Sequence, residues 1–198
     1  MGGDVKTVTF DVGTEPWDSL VGQVIQANGI GPAPSWKDAG TQADFMVVLG
    51  RMSVQPVLDS TTARLLSLEE ISDPAGRTIL RIRFPSRQNF VRFRIGSELY
   101  TANSTIAYYE NPSYGSGGRP SSDTLVKEVS VQAQGGADIE YNDVCFPVSE
   151  VWITVAAGLL NSIDTVEFDY RRPNWLHKAI CLWRRGIVLP GLKRLHPR

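Results

Sequence analysis

Short apolar runs separated by turn-forming residues constrain the fold of this chain more than any other feature. The 198 residues include 18 glycines and 12 prolines, so turn signals recur at roughly a dozen residues. β-Branched and aromatic runs bounded in this way form strands, and many such strands are typical of a sandwich or barrel. The sequence therefore predicts an all-β, antiparallel β-sandwich. The predicted strands are 5–12, 45–49, 78–84, 91–95, 105–109, 125–131, 151–156 and 165–170.

The predicted strands are interrupted by two long connections and one ambiguous segment. Residues 13–44 and 110–123 are richer in Gly, Pro, Ser and Asn than a hairpin turn needs, and loops of this length are usually functional or disordered. The leucines of segment 62–71 fit a helical face, with Thr62 as a cap, so a short helix is predicted there. Strand 151–156 has no strongly polar face, which favours a central strand covered on both sides.

The pattern changes after Tyr170. Asn174 can cap a helix over 175–185, on which Leu176, Ala179, Ile180 and Trp183 form one apolar stripe. Residues 171–198 hold eight basic residues and no acidic one, whereas the whole chain has a net charge of −1. We therefore expect two parts, a sandwich over 1–170 and a basic helix and arm over 171–198, whose charge favours an acidic surface. A membrane interface would also suit this helix, but its shortness favours a protein surface.

Arginines alternate with apolar residues on two consecutive predicted strands. If these strands form a hairpin, Arg83 opposes Arg92 and Arg81 opposes Arg94. Like charges in opposite positions destabilise a sheet, so carboxylates from a loop, a neighbouring chain or a ligand are expected to cover them. Nucleic acid is a poor candidate, because exposed aromatic residues are not interleaved with these arginines and the net charge is not positive.

The residues that usually carry catalysis are sparse. The only histidines, His177 and His196, lie outside the predicted sandwich, so a Ser/His/Asp or Cys/His site within it is excluded. The glycines near 115–118 lack the GK[ST] ending of a phosphate loop, and Asp11, Asp18 and Asp44 form no calcium-loop motif. We therefore predict no enzyme, metal or cofactor. Paired carboxylates are the open alternative, with Glu98, Glu110, Asp143 and Glu150 as candidates.

Two cysteines are too few for a disulfide framework and lack zinc-site spacing. Cys145 and Cys181 are expected to be reduced and mostly buried, with one disulfide as the alternative. The chain has no apolar run of membrane-spanning length, and its first residues lack the pattern of a secretory signal, so neither a membrane span nor an export signal is expected.

Aromatic residues in or beside the long connections provide a second candidate site. Flat rings there can stack on a sugar or plug the ends of the sandwich. As an alternative function, the sequence predicts a carbohydrate-binding module. Its candidate ligand-binding residues are Trp17, Trp36, Tyr108, Tyr109 and Tyr114.

The alternating segments, the Gly/Pro-rich connections and the C-terminal arm resemble jelly-roll and related β-sandwich structural proteins of tailed phages and other viruses. This resemblance implies a noncatalytic virion protein for capsid decoration or for tail or fibre attachment, assembled in the host cytoplasm as a homo-oligomer. No residue role is transferred from it. The leading hypothesis is therefore an assembly protein that binds neighbouring subunits. The predicted partner-binding residues are Arg81, Arg83, Arg92, Arg94, Trp175, Leu176, Ile180, Trp183, Arg184 and Arg185.

Overall fold

A computed structural model describes residues 4–29, 33–57, 63–69, 77–96, 102–115, 118–133, 136–155 and 161–186. In these ranges, the chain forms twelve strands, one short 3-10 turn at Ser122–Thr124 and one α-helix. The all-β prediction is confirmed. The strands are β1 (Lys6–Thr9), β2 (Val24–Asn28), β3 (Ser35–Lys37), β4 (Asp44–Pro56), β5 (Arg64–Glu69), β6 (Thr78–Gln88), β7 (Phe90–Gly96), β8 (Ala102–Tyr109), β9 (Leu125–Ala133), β10 (Ala137–Asn142), β11 (Val148–Val155) and β12 (Asn161–Asp169), and the helix is α1 (Trp175–Arg184).

The strands pair in the order β10-β7-β12-β5-β4-β6-β11-β8-β9, and every pairing between named strands is antiparallel. The long strand β4 joins the two layers of the sandwich, because its first half pairs with β6 and its second half with β5. Gly50 lies between these halves with a φ of 99°. A Cβ there would lie 2.6 Å from the Thr78 Oγ1, so this position requires glycine.

The core lies between the layers and is built from alternate residues of facing strands. Tyr108 on β8 stacks on Tyr141 of β10, with ring centroids 4.7 Å apart, and Phe84 on β6 packs on Phe168 of β12 at 4.8 Å. A second aromatic group surrounds Trp17, whose indole N–H donates to the buried Asp38 carboxylate at 2.8 Å. This group holds the segment between β1 and β4 against the sandwich.

All eight predicted strands overlap observed strands, but two other predictions are wrong. Segment 62–71 contains strand β5 rather than a helix, because Leu66 and Leu68 are buried between β4 and β12. The connection over 13–44 contains β2 and β3, which both pair with β4. Positions 62, 70 and 71 lie outside the described residues.

The predicted arginine hairpin is also wrong, because β6 and β7 belong to different layers. Asn89, which is fully buried, joins the two strands at the corner of the sandwich. Its side-chain amide donates to the Arg171 carbonyl at 2.7 Å, and its side-chain oxygen accepts from the Arg171 N–H at 2.8 Å. These bonds satisfy the buried amide where the chain crosses between layers, and they also fix the segment that leads to α1.

The predicted C-terminal helix is confirmed as α1, and the Asn174 side chain caps it by accepting from the His177 N–H at 2.9 Å. The prediction of two reduced cysteines is wrong. Cys145 and Cys181 form a disulfide with a Cα–Cα distance of 4.7 Å, which joins the loop after β10 to the helix. The sequence spacing of the two cysteines gave no indication that their backbones meet.

Candidate functional site

The outer face of one layer carries the most distinctive group of side chains away from the core. On β6, β11 and β8 the alternate residues that do not point to the core lie in register across the sheet. One row aligns Arg83, Glu150 and Tyr109, and the next aligns Arg81, Trp152 and Ala107. Strand pairing therefore brings charged and aromatic groups together from segments about 25 to 70 residues apart in sequence.

Glu150 is the centre of this face. Its carboxylate is only 3% exposed, and it accepts from the Arg83 guanidinium at 2.8 Å and from the Tyr114 hydroxyl at 2.5 Å. It also accepts from the Trp152 indole N–H at 3.1 Å. Burial, followed by the hydrogen bond to Glu150, raises the pKa of Tyr114. The carboxylate thus fixes Tyr114, and with it the start of the loop that lies over the sheet.

A hollow of about 180 Å³ lies beside this network, between the sheet and the loop, and we call it the outer-face hollow. Tyr109 and Trp152 contribute its aromatic rings, which meet edge to face with centroids 6.4 Å apart. Burial and the charge of Glu128 raise the pKa of Tyr109. The lining residues are Arg77, Ile79, Thr105, Ala107, Tyr109, Arg119, Pro120, Glu128, Trp152 and Thr154.

Several polar groups of the outer-face hollow have no partner in the part of the chain that the structure describes. Among the described residues, the side chains of Arg119, Glu128 and Thr154 have no hydrogen-bond or ion-pair partner, and the Nε of Arg77 is buried without one. A buried donor without a partner costs about 1–3 kcal/mol, so a ligand acceptor placed near Arg77 would recover part of this cost. The hollow therefore presents both donors and acceptors to a ligand.

A larger cleft of about 720 Å³ lies between the ends of β8 and β10 and helix α1. Several of its charged groups pair within the protein. Arg87 contacts Glu110 at 2.8 Å, and Arg184 makes two hydrogen bonds of 3.0 Å to the Asp143 carboxylate. By contrast, Asp123 and Lys127, which also line the cleft, have no ion-pair partner among the described residues.

The five aromatic residues predicted to bind a ligand have different environments. Trp17 and Tyr108 are fully buried in the core, and Trp36 is 9% exposed. The prediction that these three rings stack on a sugar is therefore wrong, because they are packed inside the sandwich. Tyr109 lines the outer-face hollow, and Tyr114, which is 39% exposed, lies beside it.

The predicted arginine ladder is replaced by ion pairs across strands. Arg83 pairs with Glu150, Arg92 with Glu167 at 2.6 Å, and Arg94 with Asp138 at 3.3 Å. Arg81 is 8% exposed, and its guanidinium lies 5.4 Å from the centroid of the Tyr114 ring. Carboxylates do cover most of this ladder, but they come from neighbouring strands of the same sandwich.

The candidate catalytic carboxylates are also engaged. Glu150, Glu110 and Asp143 each accept from an arginine, and Glu110 and Asp143 line the same cleft. Glu98 lies outside the described residues. The described residues contain no group of three or more His, Cys, Asp or Glu side chains suited to a metal ion.

The predicted partner-binding residues of α1 divide into two sets. Arg184 and Arg185 contact the sandwich, the latter donating to the Cys145 carbonyl at 2.7 Å. By contrast, the apolar members of the set remain exposed. They are Trp175, Leu176, Ile180 and Trp183.

Sequence reasoning missed Trp152, Arg119 and Glu128 as members of one site. The alternation of strand 151–156 placed Trp152 on one face with Thr154, but that face was interpreted as covered. Glu128 is on β9 and lies opposite Ala107 of β8, and only the strand register reveals this position. Arg119 had no signal beyond its position in a glycine-rich loop.

No protein-family model matches the chain, and no curated protein matches it. Among solved structures, it is similar to a low-affinity xylan-binding module from Roseburia intestinalis, with a TM-score of 0.36 and 12% identity over 70% of this chain and 96% of the module. It is also similar to a carbohydrate-binding module of lichenase 5A from Cellvibrio mixtus in complex with cellotriose, with a TM-score of 0.35 and 14% identity over 77% of this chain and 99% of the module.

The leading sequence-based hypothesis, a virion assembly protein, is corrected by this comparison. The structures to which the chain is similar include carbohydrate-binding modules, which agree with the alternative hypothesis instead. Their TM-scores, 0.32 to 0.36, are too low to assign a ligand or a binding surface. Any function must therefore be argued from the chain's own contacts.

Proposed function

We propose that the chain is a noncatalytic carbohydrate-binding domain and that the outer-face hollow binds a short segment of a glycan. The observation that carries this proposal is a partly exposed aromatic ring, Tyr109, next to polar groups that have no partner among the described residues. Sugars have C–H faces that pack on aromatic rings and hydroxyls that both donate and accept, so they need both kinds of surface.

The polar groups of the hollow support a sugar over an apolar ligand. Arg77 and Arg119 supply donors, whereas Glu128 supplies an acceptor. An apolar ligand would leave these groups without hydrogen bonds. A polyhydroxylated ring pairs with all three.

The Cys145–Cys181 disulfide supports the same proposal. Disulfides persist mainly in oxidising environments, such as secreted and cell-surface proteins. Polysaccharides outside cells are available to a protein in that setting. The absence of histidine from residues 1–170 supports a binding role rather than catalysis.

The test is isothermal titration calorimetry of the full chain with xylohexaose, cellotriose and β-1,4-galactotriose, followed by binding to a wider glycan array. We expect binding to at least one glycan. Tyr109→Ala is expected to weaken this binding about tenfold or more, because stacking on one aromatic ring contributes roughly 1–3 kcal/mol. Glu128→Gln tests the acceptor separately.

Tyr170→Ala is the matched control, because Tyr170 is 45% exposed and does not line the hollow. This variant is expected to bind like the wild type. The proposal is wrong if no glycan on the array binds, or if Tyr109→Ala and Tyr170→Ala have the same effect. Release of reducing ends from a bound glycan would contradict the noncatalytic part alone.

A further inference from the structure

Helix α1 is attached to the sandwich by its polar side. The Cys181 sulfur is bonded to Cys145, and Arg184 makes two hydrogen bonds to Asp143. Arg185 donates to the Cys145 carbonyl and lies 5.2 Å from the centroid of the Phe146 ring. At 100° per residue, these three helical positions fall within one sector of the helix, so that sector faces the sandwich.

The opposite sector of α1 is apolar and exposed. Trp175 and Trp183 are 79% and 78% exposed, and Leu176 and Ile180 are 50% and 42% exposed. Most amphipathic helices of globular proteins turn their apolar stripe to the core, whereas α1 turns its stripe away from it. We call these four side chains the outer stripe. None of the helix residues is buried.

Positive charge surrounds the outer stripe. Lys178 lies at one border of the stripe, and Arg172 lies just before the helix. Among the described residues, neither side chain has an ion-pair partner. The sequence from 171 to 198 contains no acidic residue and adds Lys193, Arg194 and Arg198 beyond the described part.

We propose that the outer stripe binds the surface of an anionic lipid bilayer, with α1 lying in the plane of the membrane. Tryptophan is enriched at membrane interfaces, and cations beside an apolar stripe attract anionic headgroups. The two tryptophans are eight positions apart in sequence, so they lie about 12 Å apart along the axis. Both ends of the short helix therefore have an interfacial anchor.

A lipid surface fits these observations better than a protein, which reverses the expectation from the sequence. Arg184 and Arg185, which an acidic protein partner would need, already pair with the sandwich. A helix of ten residues is about 15 Å long and about 10–12 Å across with its side chains. One face of it is therefore smaller than the roughly 800 Å² that each partner buries in a stable protein complex. No helix in the described ranges is long and apolar enough to cross a membrane, so α1 would lie on the bilayer.

The charge of the rest of the chain determines how the protein is oriented on the membrane. The acidic residues all lie before residue 171, where 12 basic residues face 21 acidic ones. An anionic surface would repel this part and attract the C-terminal segment. The sandwich, with its outer-face hollow, would then project into solution.

The test is flotation of the full chain with vesicles of phosphatidylcholine alone and with about 30% phosphatidylserine. We expect flotation with the anionic vesicles only and a loss of binding at about 1 M salt, where charges are screened beyond about 3 Å. Trp175→Ser combined with Trp183→Ser is expected to reduce binding about tenfold or more. Lys178→Glu is expected to reduce it less.

Tyr170→Ser is the matched control, because it removes an exposed aromatic residue outside the helix and is expected to float like the wild type. Unchanged thermal unfolding of the tryptophan variant would show that it remains folded. Tyr109→Ala is expected to float normally, so failure of glycan binding and failure of lipid binding are distinguishable.

Three results would overturn the proposal. The first is equal flotation of the wild type and the folded tryptophan variant, and the second is no flotation of the wild type. The third is a dimer that binds no vesicle and becomes a monomer when both tryptophans are replaced, because the stripe would then be an interface between two copies.

Discussion

Removal of the Cys145–Cys181 disulfide should destabilise the whole chain, not only helix α1. The two cysteines are 36 residues apart, and β11 and β12 lie between them. In the unfolded chain the bond closes this segment into a loop. On the chain-entropy relation, a loop of 36 residues lowers the entropy of the unfolded state by about 13 cal/mol/K, or about 4 kcal/mol at 25 °C.

The variant is Cys145→Ser combined with Cys181→Ser, which leaves no thiol to oxidise. Its free energy of unfolding in urea, followed by tryptophan fluorescence and far-ultraviolet circular dichroism, is expected to be about 3–4 kcal/mol lower than that of the oxidised wild type. The helix also loses its covalent attachment, so it is expected to unfold earlier than the strands, because it buries no residue against the sandwich.

The reduced wild type is the control for the substitutions themselves. Reductant should lower the stability of the wild type to that of the variant and leave the variant unchanged. A difference below about 1 kcal/mol between oxidised and reduced wild type would refute the reasoning, because it would mean that the bond does not constrain the unfolded chain. A second refutation would be free thiols in the purified protein.

Two further predictions concern the stacked tyrosines of the core. Tyr108 has a buried hydroxyl without a partner among the described residues, whereas the Tyr141 hydroxyl donates to the Phe146 carbonyl. In urea unfolding, Tyr108→Phe is therefore expected to be neutral or stabilising by about 1 kcal/mol and Tyr141→Phe to be destabilising by about 1 kcal/mol. Equal effects of the two substitutions would contradict this. Burial raises the pKa of both residues above the ordinary tyrosine value, so the folded state holds these protons more tightly, stability is complete below about pH 10, and it falls as the pH rises further. Urea unfolding across this alkaline range measures the fall, and a stability that rises with pH would contradict it.

The strands were predictable from the sequence because alternation is a local property. Val166 and Phe168 alternate with polar neighbours, and a buried strand results. The helix prediction for segment 62–71 was wrong because β5 is covered on two sides. Leu66, Ser67 and Leu68 are all buried, so the alternation that distinguishes a strand from a helix is absent.

The pairing of strands was not predictable in the same way. The arginine ladder was derived from the assumption that consecutive strands pair, but Arg83 lies opposite Asp44 on β4 and Glu150 on β11. The physical premise holds for Arg83, Arg92 and Arg94, which pair with carboxylates, but not for Arg81, which lies opposite Trp152 and Met46. The source of these carboxylates depends on which strands become neighbours, and one residue, Asn89, sends β7 into the other layer.

The same distinction explains what the sequence could indicate about the two candidate surfaces. The spacing of Leu176, Ile180 and Trp183 defines an apolar stripe, but periodicity alone does not determine whether the stripe faces the sandwich or the solvent. Cys181 and Arg184 determine that direction, because both bind to the loop after β10. Likewise, the aromatic residues of the sequence become candidate ligand contacts only where the fold leaves polar groups unpaired beside them. A helix fixed by its polar side must expose its apolar side, and the cost of that exposure is offset only when another apolar phase covers it.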